Sequence, residues 1–144
     1  MRFDDVIVDC TTALTSEPTN SSALITRAKA YFHLGDWQAV IRDCDEVLRL
    51  DPSHVYALDN RAVARQKIGD IGGGIEDLTA VIRLTAYDRK KQAVAFIARA
   101  TAYCRVRRWN DALDDSRRSI LLDPSRESHC NRVKELARRE LGKC

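Results

Sequence analysis

The chain has 144 residues, 44% of them hydrophobic and 31% charged, with a net charge of +3. This composition excludes a disordered tail, and the length is that of one domain able to bury a continuous core. No apolar run approaches the roughly 18 residues of a membrane-spanning helix, and Met1-Arg2-Phe3-Asp4-Asp5 lacks the apolar stretch of a signal peptide.

Apolar residues recur at spacings of three and four along the whole chain, and no segment alternates with period two, so the prediction is all-α. Eight helices are expected, near 3–15, 21–34, 37–50, 54–68, 71–84, 89–106, 109–122 and 126–141. The first carries Val6, Ile7, Cys10, Ala13 and Leu14. In the second, Leu24, Ala28, Tyr31 and Leu34 form one stripe, and Gly35-Asp36 closes that helix and caps the next. Trp37, Val40, Ile41, Cys44, Val47 and Leu48 make the third stripe, which Asp51-Pro52-Ser53 ends, offering Ser53 as the cap of the fourth helix. The same grammar recurs at Gly69-Asp70 and at Asp123-Pro124-Ser125, whereas Arg107-Arg108 has neither the glycine nor the acidic cap.

Two local features need weighing. Gly72-Gly73-Gly74 falls in the first turn of the fifth helix, with no preceding strand and no following GK[ST]. It therefore reads as close helix packing with a loosened first turn, not as a phosphate cradle. About four additional residues near Tyr87-Asp88-Arg89-Lys90-Lys91 amount to one helical turn, which lengthens the sixth helix without rotating its buried face. The expected core includes Leu24, Ala28, Tyr31, Val40, Cys44, Leu58, Ala62, Leu78, Ala100, Ala112 and Leu113.

The helices are copies of one another. At a shift of 34, Val6-Ile7, Asp9-Cys10 and Pro18 meet Val40-Ile41, Asp43-Cys44 and Pro52, and Arg27-Ala28 meets Arg61-Ala62. At a shift of 38, Arg61-Ala62 meets Arg99-Ala100, and Asp77 meets Asp115. A fixed period of this length is the mark of a stacked-repeat solenoid. The run from Leu24 through Arg27-Ala28, Tyr31, Leu34-Gly35-Asp36-Trp37, Asp43-Cys44 and Leu50-Asp51-Pro52 resembles a tetratricopeptide repeat. The resemblance implies a right-handed α-α superhelix of stacked helical hairpins. It divides the chain into an incomplete repeat at 1–20 (second helix only), repeats at 21–54, 55–88 and 89–126, and a capping helix at 127–144.

In that family the first helices of successive hairpins line a concave groove that holds peptides. Projected onto this chain, the groove is lined by Lys29 and His33, then Tyr56, Asn60, Val63 and Lys67, then Ile97, Thr101 and Arg105. Its cations are opposed mainly by Asp59, which favours an extended or helical ligand of acidic character. Asn60-Arg61-Ala62 and the Asp-Cys pairs resemble repeats of co-chaperones, many of which grip a terminal carboxylate with five lysine, asparagine and arginine side chains. The matching positions here are Ile25, Lys29, Asn60, Val94 and Ala98, and only Asn60 agrees, so the standard clamp is disfavoured.

The expected function is thus a protein-interaction adaptor that binds a peptide, from a chaperone among other sources. Two alternatives stay open: an assembly module that self-associates through its ends, and an accessory domain of a larger, enzymatic protein. No nucleophile, base or paired-carboxylate arrangement converges on one site, so catalysis is not expected and no cofactor is implied. Cys10, Cys44, Cys104, Cys130 and Cys144 form no CxxC pair, His33, His54 and His129 form no zinc motif, and a reducing, cytoplasmic location fits. Residues 1–98 hold 12 basic and 14 acidic side chains, a balance of −2, and residues 99–144 hold 12 and 7, a balance of +5. The basic end leaves nucleic acid as a weaker option, since its arginines interleave with acids as on a solvated face. The incomplete first repeat leaves an apolar strip on the N-terminal helix, so homodimerisation there, or cover by upstream sequence, is a further expectation, with the C-terminal helix protecting the other end.

Overall fold

Each helix begins where a side chain accepts the first free backbone N–H groups and stops where the backbone turns left-handed or meets an Asp-Pro pair. The computed structural model describes residues 2–143. Its helices are α1 (Phe3–Ser16), α2 (Ser21–Leu34), α3 (Trp37–Leu50), α4 (Val55–Lys67), α5 (Ile71–Leu84), α6 (Arg89–Arg105), α7 (Trp109–Leu122) and α8 (Glu127–Leu141). A single 3-10 turn, Pro124–Arg126, precedes α8, and no strand occurs among the described residues. The all-α prediction holds, with boundaries displaced by no more than a residue at a few ends. The 17 residues of α6 exceed the 14 of α2 and the 13 of α4, as the inserted turn requires.

The capping signals work with one correction. Asn20, Asp36 and Asp88 accept from the N–H groups of Ala23, Ala39 and Lys91 at 3.0, 3.1 and 3.1 Å. Ser53, expected to cap α4, instead donates its own N–H to Asp51 Oδ1 at 3.0 Å. His54 takes the role, its Nδ1 accepting from Ala57 N–H at 3.2 Å. The helix begins at Val55, so the N-cap position falls on His54, and Ser53 lies one residue outside it in the Asp-Pro-Ser turn. Asp123 repeats this arrangement, accepting from both the N–H and the hydroxyl of Ser125.

Gly35 and Gly69 take the left-handed turn at φ 76° and 92°. At the third such corner the residue is Arg107, held at φ 61° without the freedom of glycine, and Arg108 supplies no side-chain cap to α7.

The chain divides after Asp70 into two compact units. In the first, α1 packs on α2, α2 on α3 and α3 on α4, with α2 and α4 also in contact. In the second, α5, α6, α7 and α8 pack in succession, and α6 also meets α8. Alanines mark the closest approaches: Ala28, Ala62 and Ala100 are 2%, 0% and 0% exposed, too enclosed for a larger side chain without overpacking. Around them lie Leu24, Val40, Cys44 and Leu58 in the first unit and Leu78, Ala112 and Leu113 in the second. Tyr31 is only half-buried, and Leu34, read as part of the same stripe, is exposed beside the turn.

A polar device runs beside this apolar seam. Arg27 donates to both oxygens of Asp43 on α3 at 2.9 and 2.6 Å and to Thr11 on α1 at 3.1 Å. Arg99 repeats it, donating to Asp115 on α7 at 2.7 and 2.9 Å and to Thr79 on α5 at 2.9 Å. Arg61 reaches back in the same way to Asp45 on α3 at 2.7 Å. Each arginine therefore ties its own helix to the one before it, and Arg27 and Arg99 also to the one after.

The triple glycine needs one revision. Gly72 lies inside α5 with open space where a Cβ would stand, so close packing does not require it, whereas Gly74 is buried.

Two stability predictions follow from these geometries. Gly72→Ala and Arg107→Gly should each stabilise the fold by about 1 kcal/mol, seen as a melting point about 2–4 °C higher. Arg99→Met should cost about 3 kcal/mol by leaving Asp115 buried and unpaired, while Arg99→Met combined with Asp115→Leu should cost much less. Urea midpoints of the two single variants and the double variant check this.

Candidate functional site

The side chains predicted to line a groove fall into two groups, one in each unit. In the first unit, α2 carries Lys29 and His33 one helical turn apart, and α4 carries Tyr56, Asn60, Val63 and Lys67. The Lys29 ammonium sits 4.8 Å from the Tyr56 ring centre, which joins the two helices through a cation–π contact. Lys67 lies 5.8 Å from the ring of Trp37. Tyr56 and Val63 remain 40% and 37% exposed, enough apolar surface to meet a ligand. Asn60, the one residue agreeing with a carboxylate clamp, donates its amide to the Tyr56 carbonyl at 2.7 Å. That bond lies within its own helix. His33 stacks on Phe3 of α1 at 4.6 Å and 11°, beside a hollow of about 210 Å3 lined by Phe3, Val6, Thr26, Lys29, Ala30 and His33.

Asp59, the acid expected to oppose these cations, is open to solvent along one side, but its carboxyl is poorly hydrated among the surrounding protein atoms. Desolvation pushes its pKa up to about 6.

In the second unit the three predicted residues differ in kind. Ile97 is 9% exposed and belongs to a cluster with Ala100, Tyr103, Ala112 and Cys130, so it forms the floor of a surface rather than its rim. Thr101 donates its hydroxyl to the Ile97 carbonyl at 3.0 Å. Arg105 lies in the exposed last turn of α6, where a cation suits the helix dipole.

Ile97 and Thr101 join Cys104, His129, Arg132, Val133 and Leu136 around a hollow of about 420 Å3 between α6 and α8. Its interior is apolar, with Arg132 and His129 exposed at the edge, and burial pushes the Cys104 thiol up. Sequence reasoning missed the contribution of α8, which it read only as a shield. The signal was available: Cys130, Val133 and Leu136-Ala137 keep the spacing of an inward stripe, and Cys130 and Ala137 are fully buried.

With this geometry in view, known proteins provide a frame. Residues 21–54 match the family model of the tetratricopeptide repeat. This segment is a tetratricopeptide repeat. No curated protein sequence matches the chain. Among solved structures, a crystal structure of MamA superposes with a TM-score of 0.79 at 18% identity, covering 98% of this chain and 90% of that one. The TPR2B-domain:pHsp70 complex of yeast Sti1 gives 0.74 at 21% identity, covering 83% and 97%. The first TPR of Spaghetti (RPAP3), bound to the HSP90 peptide SRMEEVD, gives 0.72 at 19% identity, covering 84% and 93%. The described chain has the fold of tetratricopeptide-repeat domains.

The Asp59 carboxyl provides a pH test. Its folded-state pKa of about 6 lies above the unfolded value near 3.9, so folding binds a proton between them and stability falls as pH rises through this window. Asp59→Asn should therefore gain on the wild type from pH 4 to pH 7, with no difference below pH 4. NMR titration of the carboxyl should give a midpoint near 6.

Proposed function

We propose that the chain is a protein-interaction adaptor that binds a peptide segment through the first-helix side chains and α8, and that it catalyses nothing itself. The observation that carries this reading is the hollow between α6 and α8, apolar inside and edged by Arg132 and His129. It is large enough for aliphatic side chains, and a cation at its edge favours an acidic neighbour on the same peptide. Lys29, Tyr56, Val63 and Lys67 offer the same chemistry on α2 and α4. Peptide complexes of fold neighbours, with pHsp70 for yeast Sti1 and with SRMEEVD for Spaghetti, support a chaperone-derived ligand of co-chaperone type. The buried thiols of Cys10, Cys44 and Cys130, none of them in a disulfide, suit a reducing compartment such as the cytoplasm.

The mode of recognition differs from a carboxylate clamp. Ile25, Val94 and Ala98 provide no cation, and the Asn60 amide is engaged by its own helix. Side chains of the ligand, not its terminus, supply the affinity.

Fluorescence titration tests this with labelled acidic peptides bearing aliphatic residues, SRMEEVD among them. Lys29→Glu with Lys67→Glu and Arg105→Glu should weaken binding at least tenfold at low salt, with unchanged circular dichroism and melting point. Amidating the peptide terminus should change affinity less than twofold. Binding that survives the triple reversal would overturn the groove reading and bring forward assembly through other surfaces.

A further inference from the structure

The second unit has a second concavity, on α7 and α8 away from the peptide surface. It measures about 320 Å3 and is lined by Arg117, Ile120, Leu121 and Lys134. Leu121 is 75% exposed, an unusual position for a leucine in the middle of basic side chains. Arg89 adds to the basic surroundings, donating to the Leu121 carbonyl at 3.1 Å, and Arg138 stands exposed one turn beyond Lys134. Among the lining residues, Arg117 meets the carboxylate of Asp114 at 3.4 Å, with both side chains largely exposed.

The first unit presents the opposite surface. On α1, Phe3, Val6, Ile7, Cys10 and Leu14 turn inward, and the helical period places Asp4, Asp5, Val8, Asp9 and Thr12 on the other side. Val8 is 62% exposed, and three carboxylates surround it. Asp5 pairs with Arg2 at 3.9 Å, with both side chains more than two-thirds exposed. One face is therefore an apolar residue in an acidic ring, and the other is an apolar residue in a basic ring. A single chain carries both.

We propose that the acidic face of α1 in one copy docks into the basic groove of α7 and α8 in a second copy. Val8 enters beside Leu121 and Ile120, and Asp4 and Asp9 approach Arg117 and Lys134. The two patches differ, so the contact is heterologous, and each added copy leaves one free patch of each kind. Assembly by this route gives head-to-tail chains or a ring instead of the two-fold dimer that an apolar α1 strip alone would form. Long-range attraction drives the encounter, so it weakens with salt as the screening length falls from about 30 Å at 0.01 M to about 8 Å at 0.15 M. The proposal does not rest on peptide binding, since none of these residues belongs to the surfaces assigned to the ligand.

Sedimentation velocity over a range of protein concentrations at low salt, paired with a charge exchange, decides it. The wild type should show weight-average mass rising with concentration beyond that of a dimer, and this should be lost in high salt. Asp4→Lys with Asp9→Lys should be monomeric, and so should Arg117→Glu with Lys134→Glu, because each variant then meets like charge on itself. Mixing the two should restore association, because both contacts between unlike variants are complementary. Asp4, Asp9 and Arg117 are exposed and Lys134 is half-buried, and unchanged circular dichroism and peptide affinity in each variant separate loss of assembly from unfolding or loss of the groove. Three outcomes would overturn the proposal: a wild type that stays monomeric, a mixture that stays monomeric, or a dimer that tolerates groove reversal and loses only the α1 face.

Discussion

The fold depends on one repeated arrangement, an arginine beside an alanine on a first helix. The alanine lets two helix backbones come close enough for their apolar stripes to interlock, and the arginine ties that contact to its neighbours. Arg27 holds Asp43 and Thr11 together, and Arg99 holds Asp115 and Thr79, so three successive helices share one guanidinium in each unit. Asp43 and Asp115 are 4% and 2% exposed. A carboxylate that deeply placed is costly alone, and the bidentate arginine makes it tolerable while fixing the rotation of each helix about its axis. Apolar stripes are broad and tolerate small rotations, whereas a planar fork does not.

That fixed rotation has functional consequences. With the arginine and alanine turned inward, Lys29 and Lys67 project to a shared exterior with Tyr56 and Val63. In α6 the same rotation sends Ile97 to the floor of the hollow and leaves Thr101 above it. The groove chemistry is thus a by-product of the staple register. Cations reach the surface on long side chains, and aromatic rings hold them there through cation–π contacts that limit their freedom before any ligand arrives.

The third hairpin departs from the others in ways that concern stability more than binding. Arg107 occupies a left-handed corner that glycine fills elsewhere, and Arg108 leaves α7 without a side-chain cap. Arg108 instead lies 4.6 Å from the Tyr103 ring and pairs with Asp111 at 2.7 Å. Part of the backbone cost is offset by contacts between side chains, an exchange a sequence pattern does not reveal.

What the sequence by itself determined is the periodic part. The 34- and 38-residue spacings set eight helices, the alanine seam and the positions of the turns, because helix periodicity and capping are local properties of the chain. Arg27 and Arg99 recur as letters, and so do Asp43 and Asp115, yet the pairing of each arginine with the aspartate 16 residues on is not a local property of the chain. The tertiary structure decided what depends on which helices touch. It engaged the Asn60 amide with its own helix, buried Ile97, raised the Asp59 pKa and brought α8 beside α6 to form a hollow. It also gave the α4 cap to His54, because the Asp-Pro-Ser turn carries the chain one residue further before the helix begins at Val55. Periodicity says which face of a helix is apolar. The partner that covers that face, and the hollows left between them, exist only once the helices are packed.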